Sequence, residues 1–180
     1  MKALKLSLLF VVVIAVLCGC EKIGKKDFTA YLIQDFEVTV NETTGEFEVN
    51  ICDIFSSLDD AEVAQVKETI EAYGIEEISY RIWEYIGPVE ADFTGSMDIG
   101  RPSDGLIQVT KTISGSSIKS LEEAGKQVLD LSMAQQETIR GTLLNEHGIK
   151  VFFHGDVSEA PMSFIVQVIV RVTATAEVQE

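Results

Sequence analysis

Cysteine, histidine and proline are scarce in this sequence: its 180 residues hold three, two and three of them, with a single tryptophan. Cys18, Cys20 and Cys52 are too few and too unevenly placed for a disulfide framework. A chain of this length needs none, because roughly two-thirds of its unfolded surface is buried on folding. The two histidines, His147 and His154, do not form the i and i+4 pair of a helical zinc site. The calcium-loop spacing D-x-D-x-D-G is absent, as are G-x-S-x-G and the phosphate-cradling G-x-x-x-x-G-K-S/T. Asp98 and Asp104 flank a Gly-rich loop, but among 29 acidic residues such neighbours arise by coincidence. Nothing in the sequence asks for a metal or a cofactor.

Basic residues are few as well. Fourteen face the 29 acids, a net charge of −15, and an acidic surface repels phosphate backbones. Nucleic acid is therefore excluded as an expected partner. Long apolar runs are also missing, since spanning a bilayer takes about 20 apolar residues. The longest uncharged apolar stretch is Leu6–Val16, and charges resume at Glu21 and Lys22.

What that stretch does carry is a leader pattern. Lys2 and Lys5 give a basic start, LSLLFVVVIAV follows, and small residues close the segment. Leu17-Cys18-Gly19-Cys20 resembles the lipobox of bacterial lipoproteins, although cysteine at the second position is unusual there. The resemblance covers only this segment. It implies that residues 1–19 are removed, that the Cys20 sulfur takes a diacylglycerol, and that the new amine is acylated. It also implies a bacterial cell envelope location, with a membrane as partner through lipid on Cys20. Two or three acyl chains anchor stably where one alone holds only marginally. Removing the leader leaves 161 residues with a net charge of −17. Residues 20–27 read as a lipidated tether whose Lys22, Lys25 and Lys26 each gain about 1 kcal/mol near an anionic leaflet.

Residues 28–178 read as a single globular domain dominated by period-two patterning. Phe36, Val38 and Val40, then Phe47, Val49 and Ile51, alternate with polar residues around a turn at Asn41–Glu46, which predicts a hairpin. Ser57 and Asp60 suggest a capping box, with Val63, Val66, Ile70 and Tyr73 on one helical stripe and Gly74 as the stop. Strand patterns resume over Ile78–Tyr85, Ala91–Ile99 and Ile107–Ile113. Lys111 interrupts the apolar face of the last, as an inward charge does on an edge strand. Ser120 with Glu123, and Ser132 with Gln135, predict two helices before Gly148. Ile149–His154 and Phe164–Val178 read as strands, and the second, apolar on both faces, belongs in the middle of a sheet.

About seven short strands with helical insertions after the second and fifth predict a mostly β fold, an antiparallel β-sandwich. The alternative is α+β, one antiparallel sheet covered by helices. Trp83 and Tyr85, two apart on a strand, are expected on one face as a contact surface for a glycan or an extended peptide. Ile78, Tyr80, Ile82 and Ile86 then supply the other face. Cys52 reads as a buried thiol rather than a nucleophile. With no catalytic motif, the leading expectation is a non-catalytic binding or assembly module that meets an envelope protein or glycan. A carrier of an apolar ligand and an enzyme with a dispersed site are the alternatives.

Overall fold

The computed structural model describes residues 23–41 and 51–179, so the lipobox and most of the first predicted turn lie outside the described residues. Strands dominate. They are β1 (Ile23–Val40), β2 (Ile51–Ser56), β3 (Ile70–Ile86), β4 (Asp92–Gly100), β5 (Ile107–Ser117), β6 (Gln127–Val128), β7 (Gly148–Val157) and β8 (Met162–Gln179). The helices are α1 (Ala61–Gln65), α2 (Ile118–Ala124) and α3 (Met133–Glu146), and 3-10 turns at Ser57–Asp59 and Lys67–Thr69 flank α1.

The strands form two four-stranded antiparallel sheets, ordered β1-β8-β3-β6 and β2-β7-β4-β5. Only β4 and β5 are neighbours both in the chain and in a sheet; every other connection between described strands crosses from one sheet to the other. That order is a jelly roll, an eight-stranded double sheet. The expected sandwich is present, with the helical insertions after the second and fifth strands. The second strand of the expected hairpin, Phe47–Ile51, lies outside the described residues except for Ile51. β1 pairs with β8 from Ile23↔Gln179 to Val40↔Met162, and β2 pairs with β7 in the opposite sheet. Ile23–Asp27, read from sequence as tether, is the first part of β1.

The final strand explains the first sheet. β8 lies between β1 and β3. Its Val166, Val168, Val170, Val172, Ala174 and Ala176 are fully buried, while Ile165, Gln167, Ile169 and Arg171 on the other face are half-buried. Side chains that alternate along a strand place all of the first set between the sheets. In the second sheet the Phe93 and Phe153 rings stack with centroids 5.1 Å apart. Gly95 and Gly155, paired across β4 and β7, leave room for the Phe93 ring. A Cβ on either would lie 2.6 Å from Phe93 Cζ.

The helix expected over Leu58–Tyr73 is mostly something else. Asp60 caps α1 by accepting from the Glu62 and Val63 amides, but the helix ends at Gln65. Ile70, Tyr73 and Ile75 belong to β3, opposite Ala176, Ala174 and Val172 of β8, and Gly74 sits inside the strand. Val63 is fully buried where α1 packs over β1. The later helices follow expectation more closely. Ser132 and Gln135 form the predicted reciprocal capping box on α3, whereas α2 is capped by Ser117 rather than Ser120. His147, left-handed at φ 54°, closes α3 where Gly148 was expected to do so.

Candidate functional site

A left-handed residue separates the two aromatics expected to form one surface. Glu84 has φ 54°, at a register shift between Trp83 and Ile86 where β3 pairs with β8. A bulge turns the chain by one position relative to its partner. Trp83 therefore lies on the outer face beside Ile165 of β8, with the Arg81 guanidinium over its indole at 5.4 Å. Its Nε1–H is buried and has no partner among the described residues. Tyr85 turns inward instead, its ring against buried Phe164 with centroids 6.5 Å apart. The Tyr85 hydroxyl donates to the Pro88 carbonyl at 2.5 Å, and burial pushes its phenol up. The Tyr85 amide donates to Glu122 Oε1 at 2.8 Å. Hydrogen bonds from Lys119 and then from that amide hold the Glu122 carboxyl below its ordinary range. Ile86, assigned from sequence to the inner face, is 73% exposed as a consequence of the same bulge.

The histidines sit in two separate polar groups. His147 Nδ1 meets the Tyr73 hydroxyl at 3.2 Å, and its carbonyl accepts from both the amide and the hydroxyl of fully buried Ser57, each at 2.8 Å. This knot ties the end of α3 to the turn after β2 and to the start of β3. His154 lies on the outer face of the other sheet, where Nε2 meets Ser96 Oγ at 2.8 Å and Asp98 Oδ2 at 3.5 Å. Ser96 Oγ also donates to Asp98 Oδ1 at 3.3 Å. A hydrolytic relay needs the carboxylate on Nδ1, so that Nε2 is free to take the nucleophile's proton. Here serine and carboxylate share one nitrogen. Asp104 is occupied elsewhere, by Arg101 and the Leu106 amide. Among the described residues no group of three or more potential metal ligands forms.

A polar feature that the sequence did not announce is a shallow cleft on one open side of the sandwich. β5 is the outer strand of its sheet and β6, two residues long, is the outer strand of the other. Between them lies a cleft of about 340 Å³, walled by Ile113, Leu121 and Leu129. Lys111 points inward from β5, in register with fully buried Met97, as its place in the pattern suggested. Tyr80 enters from β3 of the other sheet and is 5% exposed. Neither its hydroxyl nor the Lys111 ammonium has a hydrogen-bond or ion-pair partner among the described residues. Desolvation raises the Tyr80 phenol, so it stays protonated and remains a donor.

No family model and no curated protein matches this chain. Solved structures that resemble it include viral ones. The decameric BFDV capsid protein is 16% identical, with a TM-score of 0.42 over 83% of this chain and 99% of that one. Desmodium yellow mottle tymovirus is 9% identical, with a TM-score of 0.36 over 88% and 93%. Turnip yellow mosaic virus is 10% identical, with a TM-score of 0.33 over 86% and 97%. The jelly-roll assignment stands on the strand order alone.

Of the residues singled out from sequence, Cys20 lies outside the described ones, and Trp83 and Tyr85 are placed apart. Lys111 carried the one usable signal for the cleft, a charge on an otherwise apolar face. Tyr80 carried none, because an aromatic in phase with isoleucines reads as ordinary core.

Proposed function

We propose that this chain is a bacterial envelope lipoprotein, held to a membrane by lipid on Cys20, whose jelly-roll domain is a non-catalytic binding or assembly module. The observation that carries the reading is Leu17-Cys18-Gly19-Cys20 directly after a basic start and an uncharged apolar run. With β1 beginning at Ile23, only Glu21 and Lys22 separate the acylated cysteine from the sheet. The domain then rests against its membrane rather than reaching away from it. A binding role is supported by the polar groups themselves: the Ser96, Asp98 and His154 arrangement lacks the geometry of a proton relay. Trp83, half-buried on the outer face with Arg81 stacked on it, is the residue proposed to touch an envelope protein or glycan. Tyrosine, tryptophan and arginine are the side chains enriched at such contacts.

A Cys20→Ala variant tests the anchor. It is expected to lose incorporation of labelled palmitate and to accumulate with its leader attached, while the wild type is labelled and cut. Equal labelling of the two chains would overturn the proposal.

A further inference from the structure

The binding-module reading leaves open what is bound, and the cleft between β5 and β6 narrows it. We infer that this cleft is a ligand site for a small organic anion with an apolar body, a carboxylate in the first instance, received by the Lys111 ammonium and the Tyr80 hydroxyl. This rests on the binding-module reading for its purpose but not on the lipid anchor for its geometry.

Three features converge. The cleft's volume of about 340 Å³ lies at the small end of ligand pockets, which run from about 300 to 1,000 Å³. Ile113, Leu121 and Leu129 give it an aliphatic patch beside the polar Thr112, Gln127 and Asp130. Its two inward polar groups are both donors and both unpartnered among the described residues, on facing sheets. A core tyrosine ordinarily satisfies its hydroxyl, since an unmade hydrogen bond at a buried site costs about 1–3 kcal/mol. Tyr73 and Tyr85 do so, on Ser57 and on Pro88. Tyr80, as buried as Tyr73, lines the cleft, and its hydroxyl has no partner among the described residues.

The charge pattern selects the ligand's sign. Lys111 is half-buried and faces the interior, whereas Asp130, the acid at the cleft, is exposed at its mouth. The more deeply placed of the cleft's two charges is therefore the cation, in a molecule that is otherwise strongly acidic. An anion buried there meets an ammonium and a neutral hydroxyl donor, the charge-assisted pairing that holds carboxylates. An inward lysine that merely discourages edge pairing would need no second donor across from it.

The test is isothermal titration calorimetry with the full chain in nanodiscs of zwitterionic lipid, with empty discs as the blank. Phenylpropanoate is the probe, and phenylpropanol and phenylpropylamine are its neutral and cationic counterparts. The inference expects saturable one-to-one binding of phenylpropanoate, weaker binding of the alcohol and none of the amine. Lys111→Met is expected to weaken phenylpropanoate about tenfold or more, and Tyr80→Phe about fivefold, the scale of a charged and a neutral hydrogen bond. Unchanged thermal melting of Tyr80→Phe keeps its result separate from misfolding. Absence of saturable binding, affinity untouched by both substitutions, or tighter binding of the amine would each overturn the site. Loss of the acyl label on Cys20 is read in a different experiment and leaves this one intact.

Discussion

At the scale of single residues, Glu84 decides more than its exposed side chain suggests. A non-glycine residue at φ 54° is held in a sparsely populated region, at a cost of order 1–2 kcal/mol. That conformation sends Trp83 outward and Tyr85 into the core. From sequence, the strict alternation of a strand placed both on one face, because a bulge leaves no mark in apolar periodicity. Glycine adopts left-handed angles without a Cβ penalty. Glu84→Gly is therefore expected to raise unfolding stability by about 0.5–1 kcal/mol in urea titrations. A loss of stability would mean that the residue is not left-handed in solution. Lys25 adds a contact that the sequence did not announce. Read as a charge for the membrane surface, it pairs with Glu71 of β3 at 2.5 Å, and that hydrogen bond raises its pKa.

Among the elements, legibility follows how local the deciding interaction is. The capping box of α3 was readable because Ser132 and Gln135 bond to one another's backbone within one turn. The central place of β8 was readable from apolar residues on both of its faces. The edge position of β5 was readable from Lys111. The stripe Val63, Val66, Ile70 and Tyr73 misled, because its last two members are strand residues paired with β8, about 100 positions away. Helix and strand patterns coincide over such short stretches, and the pairing partner decides between them. The pairings of β1 and β2 are long-range in the same way, each with a partner from the C-terminal third. The cleft was invisible: Tyr80 and Lys111 come from different sheets and face one another only once the sandwich closes.

The same reasoning predicts where sheet stability lies. Val168 is fully exposed to neither face's solvent, being wholly buried in β8 between Gln34 of β1 and Tyr80 of β3. Val168→Ala removes buried methyl groups and leaves a cavity, at an expected cost of about 1–3 kcal/mol. Thr110→Ala, exposed on the edge strand β5, is expected to cost under about 0.5 kcal/mol. Equal effects in denaturant titrations would contradict the central placement of β8.

For the whole molecule, the account joins an acidic jelly roll to a short lipidated N-terminus. A net charge of −17 on the mature chain keeps the domain soluble and repels anionic partners in general. The cleft at Lys111 is the exception that the inference above assigns to an anion. Under the proposed lipidation the anchor would fix orientation as well as address, since β1 is an outer strand of its sheet and begins at Ile23. The proposed membrane placement depends on the chain beginning at Cys20 with lipid attached. Intact-mass spectrometry of the protein extracted from membranes measures that directly. The account predicts a chain of residues 20–180 carrying the added mass of a diacylglycerol group, with or without a further amide-linked acyl chain. A mass corresponding to residues 1–180, or to any unlipidated chain, would contradict it.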